Sequence, residues 1–215
     1  MGHIVRNPAW GSIDLNTETG QVFVQERWQY TWTVIAPARP WTLAERRAFH
    51  NTADRQIWST WSNGRLRLRV TGGSAFAQRF ASGLPPTSFD ARWVLSRPHW
   101  NVTARKMPPG SDPTTFISHV DFPTREIHLD TADTAAYNPS NAAGQTRRFY
   151  ALPHEFGHTM PQSPGVANQD EYGGGSPHLA DTDSILNIGR QVRARHLTVL
   201  LTELSTMIPD CIFSA

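Results

Sequence analysis

Cysteine is almost missing from this 215-residue chain: Cys211 is the only one. That excludes an intramolecular disulfide and any zinc ribbon built on cysteine pairs. No apolar run approaches the length needed to span a bilayer, and no internal repeat is evident. There is no block of basic residues either. Formal charge is only +2, and the arginines are scattered from Arg6 to Arg195, so a nucleic-acid partner has no electrostatic support. The opening Met-Gly-His-Ile-Val-Arg has no apolar signal core, which predicts that any export uses a route independent of a signal peptide.

What the chain does have is globular composition, 39% hydrophobic with eight tryptophans, enough for one domain with a sizeable core. Residues 13–35 read as a hairpin turning at Thr17-Glu18-Thr19-Gly20, its strands rich in β-branched and aromatic residues and stopped by Pro37 and Pro40. Thr42-x-x-Glu45 is a capping box. It opens a helix over about 42–62 whose Phe49, Ala53, Ile57 and Trp61 recur every four residues as a buried stripe. The alternating Arg65-Leu66-Arg67-Leu68-Arg69, continuing to Val70, predicts a strand with one solvated face, and Ala91–Leu95 another. Residues 106–124 read as loop and 125–130, which alternate polar and apolar, as a strand, while Arg190–Met207 predicts a terminal helix.

The chemistry concentrates in Leu152-Pro153-His154-Glu155-Phe156-Gly157-His158-Thr159-Met160. Histidines four apart share one helix face, so both imidazoles can reach a single Zn²⁺ at about 2.0–2.1 Å. Glu155, one residue round the helix, then addresses a metal-bound water as general base. Pro153 predicts a kink, or a helix that begins close to His154. A catalytic zinc needs a third protein ligand. Asp170 and His196 are the main candidates, with Glu171 and Glu203 behind them; His196 has the alternative role of hydrogen-bonding the oxyanion of a tetrahedral intermediate. Glu171 reads better as the ion-pair partner of Arg193 or Arg195. Pro161–Pro177, rich in proline and glycine, reads as a long loop rather than an element, of a length that in a compact domain is functional or mobile.

His154-Glu155-Phe156-Gly157-His158, Asp170-Glu171-Tyr172, Ser184-Ile185-Leu186-Asn187 and Arg195-His196, in that order, resemble a group of bacterial zincins on the metzincin side. The resemblance covers about residues 150–205 and favours Asp170 as the third ligand, provided Pro161–Ala167 loops out and returns. It has Leu186 where the family's turn beneath the zinc has Met. It implies an α+β zincin-like metallopeptidase domain with a mixed twisted sheet, an active-site helix and a C-terminal helix. In zincins a strand like 125–130 borders the active-site cleft. Residues 1–145 would be mainly β around the long helix, and 146–215 would carry the site. It further implies a zinc peptidase acting on protein or peptide, of the kind found in bacterial toxins and secretion-system effectors. Delivery to another cell or the periplasm, a secretion-system carrier and an immunity or inhibitor protein as partners follow from that resemblance. A zinc hydrolase of cell-wall peptidoglycan and a catalytically inert zinc-binding module are the competing readings.

Overall fold

The computed structural model describes residues 2–64, 66–112 and 116–215. In chain order the elements are β1 (His3–Arg6), β2 (Ser12–Asn16), β3 (Val22–Val34), α1 (Leu43–Trp61), β4 (Arg69–Thr71), α2 (Ala75–Arg79), β5 (Ser88–Trp93), β6 (Trp100–Lys106), β7 (His119–Asp121), β8 (Glu126–Asp130), α3 (Ala151–Thr159), β9 (Pro161–Ser163), β10 (Val166–Ala167), α4 (Thr198–Met207) and β11 (Ile212–Ser214). This is an α+β fold on a mixed sheet. The thirteen-residue β3 pairs antiparallel with β2 and parallel with both β5 and β6, and the sheet continues through β8 to an edge strand, β7.

The expected hairpin is β2–β3, and it alternates as a half-buried strand pair should: Ile13, Leu15, Val22, Val24 and Trp28 are fully buried. The Thr42 hydroxyl accepts from the Glu45 amide at 3.2 Å while the Glu45 carboxylate accepts from the Thr42 amide at 2.7 Å. That reciprocal cap sets the register in which Phe49, Ala53, Ile57 and Trp61 face inward against β5 and α3. Buried apolar side chains form one cluster running from Trp10 to Phe213. Among the described residues no helix is long and apolar enough to cross a membrane. Cys211 is a buried free thiol, its Sγ 2.9 Å from the Ser74 hydroxyl.

Several boundaries differ from expectation. The strand expected from Arg65 to Val70 is only Arg69–Thr71, because its partner is the three-residue β11; Leu68 is buried without ladder bonds, and Arg65 lies outside the described residues. The expected loop 106–124 contains β7, and its residues 113–115 also lie outside the described residues. The inner strand β8 is as expected, but the strand bordering the cleft is β7. The terminal helix starts at Thr198 rather than near Arg190, after a 3-10 turn over Ala194–Leu197. Residues 190 and 191 are held extended, since both amides donate to the Asp183 carbonyl at 2.9 and 2.7 Å.

All nine residues of α3 are buried, so this helix is part of the core rather than a cover for it. Phe156 packs edge-on against Trp61 at 5.3 Å and Phe89 at 6.3 Å. Denaturant unfolding is expected to show a loss of about 3–5 kcal/mol for Phe156→Ala, which opens a cavity under α3, against about 1 kcal/mol for Thr42→Ala, which removes only the cap of α1.

Candidate metal centre

Pro153 is the third residue of α3, where its missing amide proton would have had no helical partner; the helix begins at Ala151 and needs no kink. The Pro153 carbonyl accepts from the Trp61 indole at 2.9 Å, locking α3 to α1. His154 and His158 then lie one turn apart on one face, ring centroids 4.8 Å apart.

Beneath them runs the turn Ser184–Asn187. The Ile185 carbonyl accepts from His154 Nδ1 at 2.7 Å. A Cβ on Gly157 would stand 2.6 Å from Leu186 Cδ2 and 3.2 Å from the Trp61 ring, so glycine lets the turn press against the helix. The turn itself closes through Gly189, where a Cβ would stand 2.2 Å from the Asp183 carbonyl carbon.

Residues 161–167 loop out as the β9–β10 hairpin and return, which is the condition for Asp170 to reach the site. On the returning limb the Asn168 carbonyl accepts from His158 Nδ1 at 2.7 Å. The Asn168 side chain bonds the carbonyls of Met160 at 2.9 Å and His196 at 3.1 Å, pinning the limb to the end of α3 and to the 3-10 turn before α4. Two residues on, Asp170 Oδ1 lies 3.1 Å from both His154 Nε2 and His158 Nε2, and these nitrogens are 3.1 Å from each other. Asp170 Oδ2 accepts from the Tyr172 hydroxyl at 2.8 Å, and the Tyr172 ring is stacked over His154 at 6.0 Å.

These donors fit a metal ion. Both Nδ1 atoms face carbonyl oxygens and so carry protons, which leaves two Nε2 lone pairs and a carboxylate lone pair aimed at one point. One proton can bridge only part of that triangle; a cation equidistant from its corners, at about 2 Å, satisfies all of it. The electrostatics of the metal-free group agree. Burial opposes ionisation of Asp170, yet the two imidazoles hold it well below the usual carboxylate range. Burial pushes His158 down, but Asp170 and Glu155 outweigh this and carry it up to about 9. Proton and metal therefore compete for the same nitrogen. Two nitrogens and one carboxylate oxygen, each with an outer hydrogen bond, form a zinc-type donor set that leaves a coordination position open.

Glu155 stands beside the triangle without joining it. It is 5% exposed, burial raises its pKa, and its Oε2 has no hydrogen-bond partner among the described residues. It lines a cavity of about 270 Å³ with Phe116, Ser118, Tyr137 and Phe149, and a second of about 210 Å³ with Ile117, His119 and Asp170. His154 borders both, so they form one cleft across the site. A larger void of about 390 Å³ lies under the 162–178 loop, where His178 is found, but it touches neither motif histidine.

The structure thus brings together His154, His158, Asp170 and Glu155, and it places His196 elsewhere. His196 is 1% exposed, its Nδ1 accepting from the Arg193 amide at 3.2 Å and its Nε2 3.1 Å from Glu171 Oε1. With both nitrogens engaged there, it is neither a member of the donor triangle nor a donor into the cleft. Glu171 is gripped by Arg195 through two bonds of 2.7 and 2.8 Å, the ion pair expected, while Arg193 pairs with Asp181 instead. Glu203 is bound to Arg6 at 3.1 Å and is also remote. Two contributors went unrecognised in the sequence. Asn168 carries no spacing signal, and Tyr172 donates to the Asp170 carboxylate.

Zinc titration of the metal-free chain is expected to give one tight site, lost in Asp170→Ala and weakened about 10- to 100-fold in Tyr172→Phe. His196→Ala should keep one zinc per chain while lowering the melting temperature, because it leaves buried Glu171 short of a partner. Loss of zinc in that variant would return His196 to the ligand set. Comparison with protein-family models, with curated proteins and with solved structures returned no match to this chain.

Proposed function

We propose that the chain is a zinc-dependent metallopeptidase of zincin-like type that hydrolyses peptide bonds, with His154, His158 and Asp170 as ligands and Glu155 as general base. The observation that carries this reading is the pairing of a three-donor triangle with a buried, unpartnered carboxylate oxygen in the same cleft. Zinc held there supplies Lewis acidity toward a carbonyl and lowers the pKa of a coordinated water toward about 7.

The protein's own groups do the rest. Glu155, its proton affinity raised by burial, takes the proton of the attacking water and later delivers it to the leaving amine. Asp170 stays a carboxylate because Tyr172 and the imidazoles hold it so. The outer edge of β7 pairs with nothing among the described residues and runs along the cleft, so an extended chain can align on it by backbone hydrogen bonds. A metal that only stapled the fold would have four protein ligands and no orphaned carboxylate beside it. The role as a toxin or effector, with delivery by a carrier and restraint by an immunity protein, rests on the resemblance of the motif order to bacterial peptidases of that kind.

Glu155→Gln should retain stoichiometric zinc and lose about 10²- to 10⁴-fold in turnover of a quenched-fluorescence peptide library. Undiminished cleavage by that variant would dispose of the mechanism. Release of fragments from purified peptidoglycan, with none from proteins or peptides, would keep the site and change the substrate class.

A further inference from the structure

Beneath the metal helix lies a carboxyl group that the reaction does not use. Glu26 sits mid-way along β3, 0% exposed, on the strand face that also buries Val22, Val24 and Trp28. An ionised carboxylate in such a place is ordinarily paired with a cation. Glu26 has none among the described residues: Trp28 Nε1 donates to its Oε2 at 2.8 Å, and Thr159 Oγ1 lies 2.5 Å from its Oε1.

Thr159 decides the protonation. Its Oγ1 is also 2.6 Å from the Phe156 carbonyl, one turn back in α3. A hydroxyl has one proton, and a carbonyl oxygen brings none. If that proton goes to Glu26, the Thr159–Phe156 contact is two oxygens at 2.6 Å with nothing between them. If it goes to Phe156, the Glu26–Thr159 contact needs a proton from Glu26. Only the second arrangement, with Trp28 donating to the remaining oxygen, puts a proton in every contact.

We propose that Glu26 is a neutral carboxylic acid that acts as a positioning residue for the metal centre, donating to Thr159 so that Thr159 can tie off the last turn of α3 and fix the adjacent His158. The inference rests on the metal-site reading for its functional meaning, though not for the protonation itself. His158 is the ligand most exposed to this contact, because it precedes Thr159 and the helix ends there. Its ring is steered by the Asn168 carbonyl, while Glu26 reaches it only through Thr159 and the backbone of the last turn. The environment agrees: burial, opposed only by the two hydrogen bonds, raises Glu26 to about 8, and no ionised side chain contributes.

The sign of the pH effect follows. A group raised in the folded state above its unfolded value of 4.5 gives stability that is complete below pH 4.5 and is lost as pH rises through about 8. Glu26→Gln supplies the same donor and acceptor without the titration; Glu26→Leu supplies neither. In metal-free protein, Glu26→Gln should melt progressively higher than the parent between pH 5 and pH 9, and amide exchange over residues 156–160 should stay near the parent's. Glu26→Leu and Thr159→Val should exchange there about tenfold faster. Zinc affinity should stay within about threefold in Glu26→Gln and fall about 10- to 100-fold in Glu26→Leu. A melting difference that does not change with pH, or Glu26→Gln behaving like Glu26→Leu, overturns the neutral acid; parent-like exchange in Glu26→Leu overturns the positioning role. A parent that takes up no zinc would sink the metal reading alone, since the melting and exchange measurements would still decide the role of Glu26.

Discussion

Mutual repulsion between lone pairs is the constraint on which this architecture turns. Three acceptor atoms sit 3.1 Å apart, and each is prevented from turning away by a bond on its far side: Ile185 for His154, Asn168 for His158, Tyr172 for Asp170. Such a cluster is unfavourable until something positive occupies its centre. The surrounding fold exists in large part to hold it in place: a helix buried on every side, a glycine that lets a turn press against it, and a returning loop pinned by one asparagine.

In the proposed site the donors and the base come from different physical devices. The helix period delivers two histidines and sets Glu155 slightly round the axis, where the metal does not claim it. The third ligand comes from an irregular segment, and its position depends on the network joining Glu171, Arg195, Asp181, Arg193 and His196. His196 therefore affects the site from a distance, as part of the framework that fixes the limb next to Asp170. Within that network Glu171 and His196 are buried while Arg193, Arg195 and Asp181 are partly exposed.

Sequence reasoning read the periodic parts well. The capping box at Thr42 and Glu45, the four-residue stripe of α1 and the β2–β3 hairpin are local patterns whose physics is complete within a few residues. That His154 and His158 share one face was legible for the same reason, and their nearness to Asp170 through the order of motifs. What escaped was decided by partners distant in sequence. The length of β4 was set by β11, about 140 positions away, and the start of α4 by two amides captured at Asp183. The bond from Asn168 to His158 and the engagement of both nitrogens of His196 are likewise tertiary facts. A histidine in a favourable motif position reads the same whether it faces a cleft or a glutamate.

The route of the chain through 161–170 carries a consequence of its own. His154 and His158 ride on a core helix, whereas Asp170 and the Asn168 carbonyl arrive just after a hairpin whose outer residues, Gln162–Val166, are exposed. In the proposed site, zinc bound to Asp170 would add to the hold that Asn168 already has on that limb, by an amount that scales with the logarithm of the free zinc concentration.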